Sequence, residues 1–392
     1  MSDKRTDYEI ELERIDQTIA ELEGALTLPL DAERATKFVY LKYQRVSLTG
    51  DLTELANVET ALDTMIRELG PAGDLYFLKA NLDFKLHRLT SVRKDLEMGR
   101  GLAVSTQGRA LKADLDFQEG RYEAARTGYE ALIKDDLTWD NLARLAWLKF
   151  KLGDVAGAEQ SYIKAEDELT AKEMRHYAWV ELQRGVLDLK QGRFAEARAH
   201  YNRAERAYSG YWLVDEHLAE LLGAEEKFDE ALTLYQNVLS RVPRPEFQQA
   251  LGELYLAMGQ PEQAQIWNER ALAAYLDSAE RGDVHYYHHL ADLYADVLED
   301  GPSAVKWARL DIELRENFAT QAALAWALYR AGEFAEAIAR MEQTLSSGVT
   351  DAQIFFQAGT IYKSAGGNGK GERYLQLAAS LNPHHQSFHV HR

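Results

Sequence analysis

One pattern recurs along this chain and constrains its fold more than any other feature. It reads ADLDFQEGRYEAARTGY at 113–129 and GVLDLKQGRFAEARAHY at 185–201, with a weaker copy, ANLDFKLHRLTSVRKDL, at 80–96. Self-similarity at a step of about 33–36 residues is the signature of a repeat array, in which each unit buries its apolar face only against its neighbours. A chain of 392 residues is also longer than one ordinary core usually needs.

Each copy carries two amphipathic stretches around a turn. The second stretch opens on an alanine shortly after a glycine, as in Gly120/Ala125, Gly153/Ala158, Gly192/Ala197, Gly259/Ala264 and Gly332/Ala337. The glycine suits a left-handed residue just past a helix. The alanine lets two helices approach closely, and Tyr129, Tyr162, Tyr201 and Met341, four residues further on, with Tyr235 four beyond Ala231 of another unit, fill the space between them. Pro261 stands at a helix start, where its missing N–H does no harm. Pro243 and Pro383 stop second helices where the next unit must begin. Ahead of the array, Ile10, Leu12, Ile15, Ile19, Leu22 and Leu26 form one apolar helical face, read as a helix that caps the first unit.

This small–large–small pattern resembles the tetratricopeptide repeat. It is clearest in Leu251-Gly252, Tyr255, Gly259, Ala264 and Ala271, in Leu324-Ala325, Leu328, Gly332 and Ala337, and in Gly359, Tyr362, Gly366, Ala378 and Pro383. In register, ten units start near Thr36, Gly73, Thr106, Trp139, Ala178, Trp212, Pro245, Val284, Phe318 and Ala352, so the resemblance covers about nine tenths of the chain. It implies an all-α fold, a right-handed α-solenoid of about ten helix pairs behind an N-terminal capping helix. The boundaries expected are 1–35 for the leading segment and cap, 36–384 for the array and 385–392 for a histidine-rich tail. Three departures stand out. Leu55 replaces the alanine of the first unit, His87 replaces the turn glycine of the second, and the eighth unit, with Gly301-Pro302, carries an extra residue before Ala304.

Charge narrows the partners. Lys and Arg total 45 against 63 acids, a net charge of −18, which disfavours nucleic acid and anionic membranes and favours basic partners. An ordinary solvated acidic surface has the same composition. With no cysteine, disulfides, thiolate metal sites and cysteine nucleophiles are excluded. No apolar run is long enough to span a membrane, and no signal peptide is visible, so a cytoplasmic protein is expected, without membrane insertion. Nothing in the sequence sets the oligomeric state.

Catalytic signatures are missing: there is no G-x-S-x-G, H-E-x-x-H or kinase pattern. The run 366–371 (GGNGKG) has Gly371 where a phosphate loop needs Ser or Thr, and Ser364 where it needs its first glycine. It reads as the turn of the tenth unit. No enzyme activity and no cofactor are expected.

In the family that the repeats resemble, the first helix of each unit lines a concave surface where ligands bind. The inward slots here hold Asn81, Asp114, Trp147, Glu220, Glu253, Asp292 and Trp326, with Trp179 and Glu216 in neighbouring slots. Acids interleaved with aromatics suit an extended protein or peptide segment carrying Lys or Arg. The lysine–asparagine clamp that some relatives use on acidic C-termini is not legible, since only Asn81 fits it. The expectation is a non-enzymatic scaffold with a peptide-binding groove. The alternative is metal binding or delivery. His285, His288, His289 and Asp292 fall at helical spacing, and His384, His385, His389 and His391 crowd the tail. Imidazole and carboxylate so placed can bind zinc, copper or nickel, although histidines alternating with Tyr286-Tyr287 also make ordinary aromatic contacts.

Overall fold

The structure, a computed structural model, describes residues 5–25 and 31–390; His391 and the first four residues lie outside that range. Its regular structure is helical throughout the described residues. A leading helix, α1 (Asp7–Ala25), is followed by ten pairs: α2 (Ala32–Thr49) with α3 (Leu55–Leu69), α4 (Gly73–Lys85) with α5 (Leu89–Met98), α6 (Thr106–Gln118) with α7 (Tyr122–Asp135), α8 (Trp139–Lys151) with α9 (Val155–Asp167), and α10 (Met174–Leu189) with α11 (Phe194–Ala207). The second half continues with α12 (Trp212–Ala224) and α13 (Phe228–Arg241), α14 (Pro245–Ala257) and α15 (Pro261–Glu280), α16 (Tyr287–Asp292) and α17 (Gly301–Leu314), α18 (Phe318–Arg330) and α19 (Phe334–Ser346), and α20 (Ala352–Ser364) and α21 (Asn368–Leu381).

Within each pair the sequence pattern becomes packing. Ala125, Ala158, Ala197, Ala264 and Ala337 are fully enclosed, and Tyr162, Tyr201, Tyr235 and Met341 are almost wholly buried beside them. A methyl group at the crossing leaves room for a large ring from the facing helix, which is how such pairs reach interior packing density. Most turns between paired helices place a glycine at positive φ, for example 74° at Gly120 and 86° at Gly153. His87, Glu226 and Glu299 occupy left-handed positions in the second, sixth and eighth pairs, with φ of 59°, 62° and 52°. The extra residue of the eighth pair is absorbed by a π-helical turn, Leu293–Val297, directly after α16, the usual consequence of one residue inserted into a helix.

The array coils tightly enough for successive turns of the superhelix to touch. The Trp212 indole N–H donates to the Leu48 carbonyl at 2.8 Å. The rings of His87 and His288 lie 5.7 Å apart. In the ninth pair, the Phe318 N–H donates to the Tyr122 hydroxyl of the third at 2.7 Å, and the Asn317 amide donates to the Gln118 carbonyl at 3.2 Å. The Thr350 N–H donates to the Lys151 carbonyl at 3.0 Å, so the tenth pair meets the fourth. The third touches the ninth and the fourth the tenth, hence one coil takes about six pairs. Buried apolar side chains of α6, α7 and α8 accordingly share one core with those of α15 to α20. Helix α1 extends the same contact: its Tyr8 N–H donates to the Ser209 carbonyl at 3.2 Å, and Glu11 accepts from the Tyr208 hydroxyl at 2.7 Å. It therefore covers the fifth and sixth pairs as well as α2.

Two glycines separate the energy of the turn from that of the coil contact. A β-carbon on Gly120 would sit 2.6 Å from the Glu316 carbonyl oxygen, whereas one on Gly259, at a similar φ, meets nothing within 4 Å. Gly259→Ala is expected to lower stability by about 1 kcal/mol through its backbone conformation alone. Gly120→Ala should lower it by about 2–3 kcal/mol, since it also forces the coils apart. Urea unfolding of the two variants checks this; equal losses would mean that the coil contact contributes little.

Candidate peptide channel

Because the coils touch, the concave side is narrowed to a partly open channel. A channel of about 530 Å³ is lined from the third to the ninth pair, and a side pocket of about 420 Å³ opens between α4, α6, α8 and α10. The first helices of the pairs supply nearly all of this wall, because their small residues and aromatics face the second helices and their remaining face is left to the interior.

The side pocket is aromatic. Trp139, Trp147 and Trp179 stand with Phe84 and Phe117 around it. Trp139 lies edge-to-face on Trp179 at 5.8 Å and stacks on His176 at 4.8 Å. Asp114 also lines the pocket, but its charge is already matched: the Arg144 guanidinium donates to it at 3.1 Å and to Asp140 at 2.6 Å, and the Tyr129 hydroxyl donates to it at 2.9 Å. Burial, and then the neighbouring Asp114 charge, push the Tyr129 hydroxyl far above its ordinary range. Burial opposes the charge on Asp140, yet the Thr138 hydroxyl and Arg144 hold its carboxyl below the usual value.

The main channel carries both signs. Glu216, Glu253, Asp292 and Asp296 line it together with Lys151, Lys190, Arg244 and Arg315. The Gln249 amide donates to Glu253 at 3.0 Å, and Arg315 donates to the buried Asp311 at 3.0 and 3.2 Å. Burial works against the charge of Glu246, but Arg244 beside it keeps its carboxyl below the ordinary value.

The segment after α21 enters this channel. The Phe388 ring lies where a β-carbon on Gly223 would stand, 2.3 Å away, and meets Tyr235 edge-on at 6.3 Å. The Val390 N–H donates to a carboxylate oxygen of Glu220 at 2.9 Å, and His389 bonds to Glu220 through Nδ1. The Lys190 ammonium donates to His389 Nε2 at 2.6 Å. Val390 itself lines the channel. Glu220 is only 1% exposed.

The residues singled out from the sequence thus take different places. Asp114, Trp147 and Trp179 line the aromatic pocket, and Glu216, Glu253 and Asp292 the channel. Glu220 holds the segment at 388–390. Asn81 turns its amide onto the Phe77 carbonyl of its own helix at 2.8 Å, and Trp326 is buried with its indole N–H donating to Asp296 at 2.7 Å. The histidines do not share one helix face as the spacing predicts, because α16 begins at Tyr287 and leaves His285 in the turn before it. His285 lies against Tyr286, His289 stacks on Tyr275, and His288 reaches toward His87. The channel cations and Arg144 were missed. Arg144 left a sequence signal, standing 30 residues after Asp114, one repeat along on the neighbouring first helix; Lys190, Arg244 and Arg315 left none.

A channel walled by the first helices of stacked pairs, from the third to the ninth, belongs to a helical-repeat solenoid, and in the described residues no helix is long and apolar enough to cross a membrane. Sequence profiles of the tetratricopeptide repeat match residues 222–283, and 178–203 with 319–343. These stretches of the chain therefore carry tetratricopeptide repeats, a repeat of protein–protein interaction scaffolds. Solved structures similar to it include a tetratricopeptide repeat protein from Parabacteroides merdae (18% identity over 62% of this chain and 93% of that one, TM-score 0.38). The APC/C hetero-tetramer Cut9–Hcn1 is similar at 15% identity, covering 95% and 79%, with a TM-score of 0.46. A human IFIT1 dimer with m7Gppp-AAAA is similar at 12% identity, covering 95% and 94%, with a TM-score of 0.47. No curated protein matches the chain.

Proposed function

We propose that this protein is a non-enzymatic scaffold whose channel binds an extended segment of a partner protein, with an aromatic side chain over Gly223, a histidine or other basic side chain against Glu220 and an aliphatic side chain beyond it. The observation that carries this reading is the segment 388–390, which already lies against Glu220, Gly223 and Tyr235 in that manner. A buried carboxylate that accepts a backbone N–H fixes an extended chain without reading its sequence, while the slot over Gly223 reads the ring. The aromatic pocket of Trp147 and Trp179 offers a second anchor. The net charge of −18 steers basic partners to the protein and speeds their encounter, so salt should slow association. Asp114 of the side pocket, already matched by Arg144, supplies orientation rather than net attraction.

The chain's own segment competes with any such partner at an effective concentration on the order of millimolar. A labelled peptide Ser-Phe-His-Val-His-Arg, copied from 387–392, should therefore bind the Phe388→Ala/Val390→Ala double variant at least about tenfold more tightly than the wild type by fluorescence anisotropy. Adding Gly223→Val to that variant fills the ring slot and should abolish the gain. Absence of peptide binding to the double variant would remove the proposal.

A further inference from the structure

We propose that His87, His288 and Asp311 form a binding site for a divalent transition-metal ion, with zinc the best-fitted, placed where the second repeat meets the eighth. One nitrogen from each imidazole and one oxygen of the carboxylate lie within 4.8 Å of one another. Two imidazoles and a carboxylate are the donor set of zinc, nickel and copper, not of calcium or magnesium, which prefer oxygen. Metal–ligand bonds of about 2.0–2.1 Å in a tetrahedral site require donors about 3.4 Å apart, so the rings turn inward by up to about 1 Å when the ion enters. Three protein donors leave a fourth position for water or for a partner's side chain.

Several features of the sequence converge here, at the edge of the channel that His288 and Arg315 also line. His87 stands at a turn where most pairs place glycine, with φ 59°. Glu226 and Glu299 hold the same conformation, but both are exposed, whereas the His87 ring faces the next coil, 5.7 Å from His288. A side chain kept in a strained backbone position and turned inward is a pointer to function. The π-helical turn begins five residues after His288, and such turns are frequent at functional sites. Among the described residues, Nδ1 of both His87 and His288 is buried without a hydrogen-bond partner. A neutral imidazole offers such a nitrogen lone pair to a metal ion. Asp311 is 1% exposed. Arg315 donates to both of its oxygens, which leaves a further lone pair on each and orients the carboxylate as an outer-shell partner does. The same guanidinium charge repels a dication, so binding in the micromolar rather than the nanomolar range is expected. Residues 87 and 288 belong to different coils, so a bound ion would clip the superhelix shut across the channel.

The test uses the full chain with His384→Ala, His385→Ala and His391→Ala, which silences weak binding by the histidine-rich segment and leaves His389 in place. Zinc titrated by calorimetry should show one ion per chain, and saturating zinc should raise the thermal midpoint by about 2–4 °C. Cobalt(II) should give the strong visible absorption of a tetrahedral site. His87→Gly is the decisive variant. Glycine relieves the strained turn, so the metal-free thermal midpoint should hold or rise while the zinc shift and the cobalt band disappear. His288→Ala should lose both as well, and His285→Ala should keep both. Zinc uptake unchanged by His87→Gly, or no uptake tighter than millimolar in the parent chain, would overturn the assignment.

Discussion

Asp351→Ala is expected to lower stability by about 3–5 kcal/mol and to release the tenth repeat from the fourth. The Asp351 carboxylate caps α20 by accepting the N–H groups of Gln353 at 2.9 Å and Ile354 at 3.2 Å. It also pairs with the Lys151 ammonium across the coil contact at 3.4 Å, with both side chains largely buried. Loss of the cap alone would cost about 1 kcal/mol. Leaving Lys151 buried without its partner accounts for the remainder. Burial opposes the charge of Asp351, but Lys151 and then Lys190 hold its carboxyl well below the ordinary range. A depressed carboxyl pKa contributes stability that is fully present above the ordinary value of about 3.9 and is lost only as the pH falls below it. The wild type should therefore exceed the variant by a constant margin from about pH 5 to 8, and the gap should close in acid. Urea unfolding across that range measures the margin, and hydrogen exchange should locate the new opening in α20 and α21. A loss under about 1 kcal/mol would show that the coils are held together elsewhere.

Tyr235→Ala should cost about 3–5 kcal/mol and also free the segment that occupies the channel. Tyr235 is fully buried, in one core with side chains of α10 to α14. Its ring meets Phe247 at 6.5 Å and Phe388 at 6.3 Å. Truncation removes those contacts and leaves a cavity that α12 and α13, fixed by their neighbours in the array, cannot fill by moving together. Phe388 loses one wall of its slot, so limited proteolysis should cut after α21 faster than in the wild type. Tyr235→Phe keeps the ring and should do neither. If Tyr235→Ala unfolds the repeat too far for proteolysis to be read, Gly223→Val separates the effects, since its side chain expels Phe388 without hollowing the core. An Ala variant whose segment stays protected would mean that Tyr235 does not hold Phe388.

The repeats were legible because their packing is local. Gly192, Ala197 and Tyr201 lie within one turn and the helix after it, so a short pattern records the whole interaction. The one-residue excess before Ala304 was visible in the same way, although the sequence did not show that a π-helical turn would absorb it. The aromatic character of Trp147 and Trp179 at the inner wall could be read, since slots on one helix face follow from its period. Their surroundings could not. Asp114 reads as an unmatched acid until Arg144 is seen beside it, and the histidines of 285–289 read as one face until α16 starts two residues after the first of them.

The amino-acid sequence by itself determined the helix pairs, their register and the all-α solenoid, because each depends on small–large–small spacing over a few turns. Only the tertiary structure decided that the coil closes on itself, with Gln118 meeting Asn317, Lys151 meeting Asp351 and His87 meeting His288. It also decided that Glu220 receives the chain's own segment and that acids and cations share one channel. The physical reason is accumulation. Each pair adds a small rotation to the superhelix, and residues about six repeats apart meet only where those rotations sum to a full turn, a quantity that no local pattern contains.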